Sequence, residues 1–180
     1  MSTVHRKLRI TEMGRMSVAD FRAAAKVPLV VVLDGVRSLY NVGSVFRTAD
    51  AFRLAGIVLC GITATPPHPE IHKTALGAED SVAWRHEADT VAAVCALQRE
   101  GYIVLAAEQC EGSTALWDFT AEPGARYAVV FGHEVFGVQQ QVVDACDGCL
   151  EIPQFGTKHS LNVSVTAGIV SWHFAQQLCR

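Results

Sequence analysis

The sequence predicts an α/β fold, a mainly parallel sheet flanked by helices, and three observations carry that prediction. Short runs of Val, Leu and Phe, such as residues 29–33 and 127–131, have the length and β-branched content of strands buried on both faces. Other stretches repeat apolar residues at helical spacing, as Val42, Val45, Phe46, Ala49 and Phe52 do. The two kinds of segment alternate along the chain, which is the pattern of βαβ units. With 180 residues, 50% of them hydrophobic, the chain is long enough for one well-buried domain and too short for two large ones.

Taken in order, Ser17 with Asp20 three residues later reads as a capping box opening a short helix to about residue 26, which Pro28 ends. Residues 29–33 form the first strand, Asp34-Gly35 turns the chain, and a helix covers 42–54. The next strand is expected at 57–62, followed by a loop kept irregular by Pro66, Pro67 and Pro69. A helix at 88–97, strands at 102–107 and 127–131, and a helix at 138–145 follow. A short strand at 148–152 and a final helix at 160–178, with Ser160 as a candidate N-cap, complete the chain. Residues 1–28 read as a basic arm with a short helix, and 29–180 as the main domain.

Charge and cysteine content narrow the function. Net charge is −3, yet up to Arg47 there are eight cationic residues against three anionic ones. Such a split fits either a local basic face for nucleic acid or a solvated basic terminus. No apolar run reaches the roughly 18–20 residues of a membrane span. The first residues lack the apolar centre of a secretory signal, so the cytoplasm is the expected compartment. The six cysteines lie mostly within apolar stretches and read as buried free thiols; Cys146-x-x-Cys149 has no second pair at zinc-ribbon spacing, so no metal is expected.

Several familiar motifs are missing. Gly-x-Gly-x-x-Gly and Gly-x-Ser-x-Gly do not occur, and Gly156-Thr157-Lys158-His159-Ser160 departs from a phosphate loop because Lys158 and Ser160 are not adjacent and Glu151 stands where the first Gly is needed, which argues against hydride transfer, serine-hydrolase chemistry and nucleotide hydrolysis. In open parallel sheets ligands collect at the carboxyl ends of strands. The loops after Leu33, Phe131 and Ile152 begin there and carry unusual polar residues. The third leads through Ser160, Asn162 and Ser164 into an apolar run. Taken alone it is either a capped core helix or a ligand-binding helix entrance.

Three segments carry a resemblance: Asn41-Val42-Gly43-Ser44-Val45-Phe46-Arg47-Thr48-Ala49, then Phe131-Gly132-His133-Glu134-Val135-Phe136-Gly137, then the stretch from Ile152-Pro153 through Gly156 to Ser160-Leu161-Asn162-Val163-Ser164. In residue type, order and spacing they resemble the three motifs of the SpoU (TrmH) class of the SPOUT RNA methyltransferases. The resemblance runs from about residue 29 to the end. It implies a parallel sheet with a C-terminal deep trefoil knot, S-adenosylmethionine as methyl donor, a ribose 2′-hydroxyl of RNA as acceptor, and a homodimer. It also implies that Arg47 acts on the hydroxyl, with Asn41 orienting Arg47 or the ribose and Glu134 fixing Asn162 or Arg47. Ser160 and Asn162 are implied to face the reacting groups, while Gly132, Gly137, Ile152 and Leu161 hold the cofactor largely through backbone. Ala106, Ala107 and Glu108, at a strand end, are expected by position to form another wall. Among acceptors, tRNA is favoured over rRNA, because several members acting on rRNA carry an extra N-terminal RNA-binding domain. A noncatalytic RNA-binding protein of the same fold and a small-molecule methyltransferase are the alternatives.

Overall fold

The computed structural model describes residues 5–179. Seven strands form one sheet: β1 (Val27–Asp34), β2 (Leu54–Cys60), β3 (Trp84–Glu87), β4 (Tyr102–Ala107), β5 (Thr114–Ala115), β6 (Arg126–Phe131) and β7 (Gly148–Glu151). Their order is β3-β2-β1-β6-β4-β7-β5, and every pairing is parallel. The helices are α1 (Val18–Ala23), α2 (Leu39–Ala51), α3 (Pro69–Ala75), α4 (Ala78–Ser81), α5 (Thr90–Arg99), α6 (Gln140–Ala145) and α7 (Val163–Leu178). The parallel α/β architecture expected from the alternating pattern is therefore the one formed.

β1 shows why its residues read as a continuous apolar run. Leu29, Val31 and Leu33 point into one core layer, with α2 and α7, while Val30 and Val32 point into a second layer with Val94 and Leu97 of α5. Each fully buried Val or Leu contributes about 1.5–3 kcal/mol, so a central strand has no tolerance for polar residues on either face. At the carboxyl end the run terminates in Asp34, itself only 2% exposed.

Helix α2 starts at Ser38, whose hydroxyl accepts the Asn41 N–H, and buries Val42, Val45, Phe46 and Ala49. Gly43 lets α3 approach: a Cβ there would run into the Ile71 carbonyl and the Thr74 side chain. The glycine of the first motif is thus a packing residue.

Several boundaries differ from expectation. β1 begins at Val27, so Pro28 lies inside its irregular first pairings rather than ending a helix. A division at residue 28 consequently cuts a strand, and α1 is attached to the body through buried Phe21 and a hydrogen bond from the Arg22 guanidinium to the Asp80 carbonyl. Pro69 opens α3 from its first turn, where a missing N–H costs nothing, so the proline-rich stretch is not all loop. α7 begins at Val163 with Asn162 as its cap, not Ser160. Among the described residues no helix is long and apolar enough to cross a membrane.

Candidate active site

A cleft of about 640 Å³ opens at the carboxyl ends of β4, β6 and β7 and reaches the entrance of α7. Ala107, Glu108, Gly132, Gly137, Ile152, Leu161, Glu134, Ser160 and Asn162, all expected at the site, line it. Ala106 does not. It is fully buried in the core layer shared with Val94 and Leu97, because alternate residues of β4 face opposite sides of the sheet. Arg47 and Asn41 also lie outside the lining, on α2.

The loop after β6 forms the centre of the cleft. His133 and Gly137 exchange backbone hydrogen bonds of 3.0 and 2.9 Å, closing a tight turn that needs Gly137 at φ +67°. Gly132 packs so closely on the far side of the turn that a Cβ would strike the Gly137 carbonyl and the Val138 nitrogen. The exit is held by a carboxylate from each strand flanking β6. Glu108, just after β4, accepts the Val138 N–H at 2.9 Å. Asp34, ending β1, accepts the Gln139 N–H at 3.3 Å and its side-chain amide at 3.1 Å, while Thr90 donates to it at 2.6 Å. Glu108 therefore shapes this wall of the cleft by binding the loop.

Asp34 was not among the expected site residues. The one signal in the sequence is an acid ending an otherwise fully apolar strand. Asp34→Ala strands the Gln139 N–H and the Thr90 hydroxyl, and an unsatisfied buried group costs about 1–3 kcal/mol. Denaturant unfolding is expected to register a loss of that order. An unchanged midpoint and slope would show that water replaces the carboxylate at no cost.

Glu134 ties the loop to the first motif. Its carboxylate accepts the N–H groups of Arg37 at 3.1 Å and Ser38 at 2.9 Å, at the entrance of α2, and the Asn41 amide at 3.3 Å. Asn41 in turn accepts from the Asn162 amide at 3.2 Å, and Asn162 accepts the Ser164 N–H at 2.9 Å and the Val165 N–H at 3.4 Å. A carboxylate that only accepts stands at one end of this chain, and helix N–H groups that only donate stand at the other. Both asparagine amides consequently have one orientation that satisfies the chain. The three motifs are thus joined as Glu134–Asn41–Asn162. Glu134 reaches Asn162 through Asn41 and makes no hydrogen bond or ion pair with Arg47 among the described residues.

Partial burial pushes the Glu134 carboxyl up, but the hydrogen bonds from Ser38, its own N–H, Arg37 and Asn41 outweigh it and leave the pKa below the ordinary 4.5. A group depressed on folding stabilises above its unfolded pKa and loses that contribution as pH falls through the lower folded value. The stability difference between the native protein and Glu134→Gln is therefore expected to stay constant above about pH 4.5. It should shrink below that, as read by thermal unfolding against pH. A difference that instead shrinks between pH 5 and 7 would contradict the assignment.

Arg47 lies six residues beyond Asn41 on α2, about 9 Å along the axis, and projects into solvent. Among the described residues its guanidinium makes no hydrogen bond or ion pair. Ser160 is exposed at the cleft, in a loop pinned by the Gln109 amide donating to the His159 carbonyl at 2.9 Å. No cluster of His, Cys, Asp or Glu able to hold a metal occurs among the described residues. Burial pushes the Cys60, Cys146 and Cys149 thiols up to about 12, so they remain protonated at neutral pH, and the described cysteines form no disulfide.

These features define a class: a parallel α/β domain that takes its ligand in a glycine-bent cleft at the strand ends, beside polar side chains gathered from three separate motifs. Within it, the chain belongs to the SpoU rRNA methylase family, whose model matches residues 28–172. It is 29% identical over 168 residues to the 23S rRNA (guanosine-2′-O-)-methyltransferase RlmB of Vibrio parahaemolyticus, an alignment covering 92% of this chain and 66% of that protein. The chain thus spans slightly less than two thirds of that relative. Among solved structures, an S-adenosylmethionine-bound rRNA methyltransferase from Sinorhizobium meliloti superposes with a TM-score of 0.78 at 25% identity, over 86% of this chain and 61% of that one. A structure described as giving insight into 2′-OH methylation of C/U34 on tRNA superposes with a TM-score of 0.72 at 26% identity, over 84% and 96%.

Proposed function

We propose that this domain transfers a methyl group from S-adenosylmethionine to a ribose 2′-hydroxyl of RNA. The observation that carries the reading is the Glu134–Asn41–Asn162 chain, which brings the three motif segments together at one cleft. The S. meliloti neighbour holds S-adenosylmethionine. The residues here suit that cofactor: Leu150, Ile152, Leu161 and Val138 offer apolar walls for an adenine ring, and the bent backbone at 132–137 offers N–H and carbonyl groups. When bound, S-adenosylmethionine supplies an electrophilic methyl on a sulfonium sulfur.

The chain's own residues would then orient and polarise the acceptor. A guanidinium is a poor base, so the part of Arg47 is to stabilise the developing alkoxide and grip the adjacent phosphate. Asn41 and Asn162, locked in orientation, fix the α2 and α7 entrances relative to each other. Ser160 presents a hydroxyl able to donate or accept at the mouth of the cleft.

tRNA is the acceptor we favour. The superposition on the tRNA enzyme over 96% of its length supports that reading, while the rRNA-directed RlmB and S. meliloti relatives support rRNA as the second one. A homodimer is part of the same reading. Val165, Ile169 and Trp172 form an exposed apolar stripe on α7 at positions i, i+4 and i+7, with Trp172 leaning on Phe52 at 5.8 Å. The C-terminal trefoil knot belongs to it too; β7 inserts between β4 and β5, and α7 returns to pack on α2 and β1. The basic arm, with Arg6, Lys7, Arg9 and Arg15 all exposed, is assigned to RNA contact.

Incubating the protein with methyl-labelled S-adenosylmethionine and, separately, total tRNA and total rRNA tests the function. Label in ribose 2′-O-methyl nucleosides is expected, in the tRNA fraction first. Cofactor binding without transfer to either RNA would favour a noncatalytic RNA-binding protein.

A further inference from the structure

The geometry points to a nucleobase-stacking site formed by Trp117 and Phe155, which receives an unstacked base of the RNA beside the methylated nucleotide. The inference rests on the RNA reading above. Trp117 is 61% exposed and Phe155 is 87% exposed, yet their rings lie within 5° of parallel with centroids 6.2 Å apart. Residues 38 positions apart in sequence are brought together because β5 and β7 pair at the outer edge of the sheet, where the Leu116 N–H bonds the Glu151 carbonyl at 2.8 Å. The Trp117 indole N–H donates to Asp118 at 3.0 Å, which fixes the tilt of the ring.

Phe155 belongs to the segment 151–159, other members of which border the cleft. A recess of about 310 Å³ beside Phe155, lined by Pro153, Gly156 and Lys158, shares Glu151, Ile152, Gln154 and His159 with the main cleft. Lys158 supplies a cation for a phosphate next to the base, and His159 flanks Ser160. Glu151 and Asp118 are the acidic groups nearby, the latter occupied by the indole.

Flat aromatic faces with a cation alongside are the platform that single-stranded RNA uses, because every base has a π-face and stacking needs no hydrogen-bond code. A second copy of this chain fits less well. The apolar stripe suited to that role is on α7, whereas the chain neighbours of Phe155 are polar: half-buried Gln154 and exposed Thr157 and Lys158.

The test compares the full chain with Trp117→Ala, Phe155→Ala and Trp117→Phe. It reads binding of fluorescein-labelled total tRNA and total rRNA by anisotropy, methyl transfer to the same RNAs, S-adenosylmethionine affinity, and oligomeric mass. Each Ala variant is expected to weaken RNA binding and raise the RNA KM by roughly tenfold, with kcat, cofactor affinity and mass unchanged. Trp117→Phe should restore most of the loss, since it keeps a stacking face. Unchanged RNA binding in both Ala variants would overturn the stacking site while leaving the methyltransferase reading intact. A loss that tracks a change in oligomeric mass would overturn it in favour of a subunit contact. A protein that binds RNA through these rings but transfers no methyl would keep the stacking site and remove the catalytic reading; one that binds no RNA removes both.

Discussion

Arg47→Ala is expected to lower methyl transfer by on the order of 10²–10³-fold while leaving S-adenosylmethionine affinity and thermal stability unchanged. The size follows from the role proposed for the guanidinium, donors brought to a ribose oxygen as it becomes anionic when RNA is bound. The absence of collateral damage follows from its surroundings. Arg47 is exposed on α2 with no side-chain partner among the described residues, and surface substitutions of that kind usually change stability by about 0.5 kcal/mol or less. Arg47→Lys separates two roles. It keeps a charge for a phosphate but loses the planar fork, so it should recover RNA affinity better than turnover. Steady-state transfer with labelled cofactor, alongside calorimetric cofactor binding, measures both. Normal turnover by Arg47→Ala would remove Arg47 from the reaction.

How far the sequence anticipates this arrangement depends on what each residue's neighbours must be. Strands buried on both faces, β1 and β6, announce themselves because any polar residue there would be costly. The edge strands β3 and β5 do not: Trp84, Arg85, His86 and Glu87 alternate between half-buried and exposed, and a two-residue β5 has no pattern to read. Helix entry is similarly local. Ser160 and Asn162 are both good caps by residue type; the Asn162 side chain takes the Ser164 and Val165 N–H groups and is itself held by Asn41, 121 residues away. In the site, the three motifs mark the loops. The parity of β4 decides that Ala107 faces the cleft and Ala106 the opposite core, and parity is set by register with β6 and β7. The roles of Asp34 and Glu108 are long-range in the same sense. Asp34 reads only as a turn residue and Glu108 only as a wall by position until the strand order puts β1 and β4 on either side of β6, so that the two carboxylates meet the consecutive N–H groups of Val138 and Gln139.

That double anchorage sets the expected result of the second substitution, Gly132→Ala. The added methyl would fall on the Gly137 carbonyl carbon and oxygen and on the Val138 nitrogen, all backbone. A flexible side chain could swing away; this backbone is held. Gly137 is paired to His133, Val138 to Glu108 and Gln139 to Asp34, so relieving the clash breaks at least one of these bonds or displaces β6. Overpacking of this sort costs about 1–3 kcal/mol, and it falls on the loop at the centre of the cleft proposed to hold the cofactor. Cofactor affinity is therefore expected to fall at least tenfold, the equivalent of about 1.4 kcal/mol, with a lower melting temperature. Gly156→Ala is the control. It lies in the third motif within the same set of loops, at a φ outside the left-handed region, and a Cβ there meets nothing within 4 Å. It should bind cofactor as the native protein does. Equal losses in the two variants would mean that motif glycines matter through loop flexibility in general. A loss confined to Gly132→Ala would locate the requirement in the close approach of Gly132 to the 137–138 peptide.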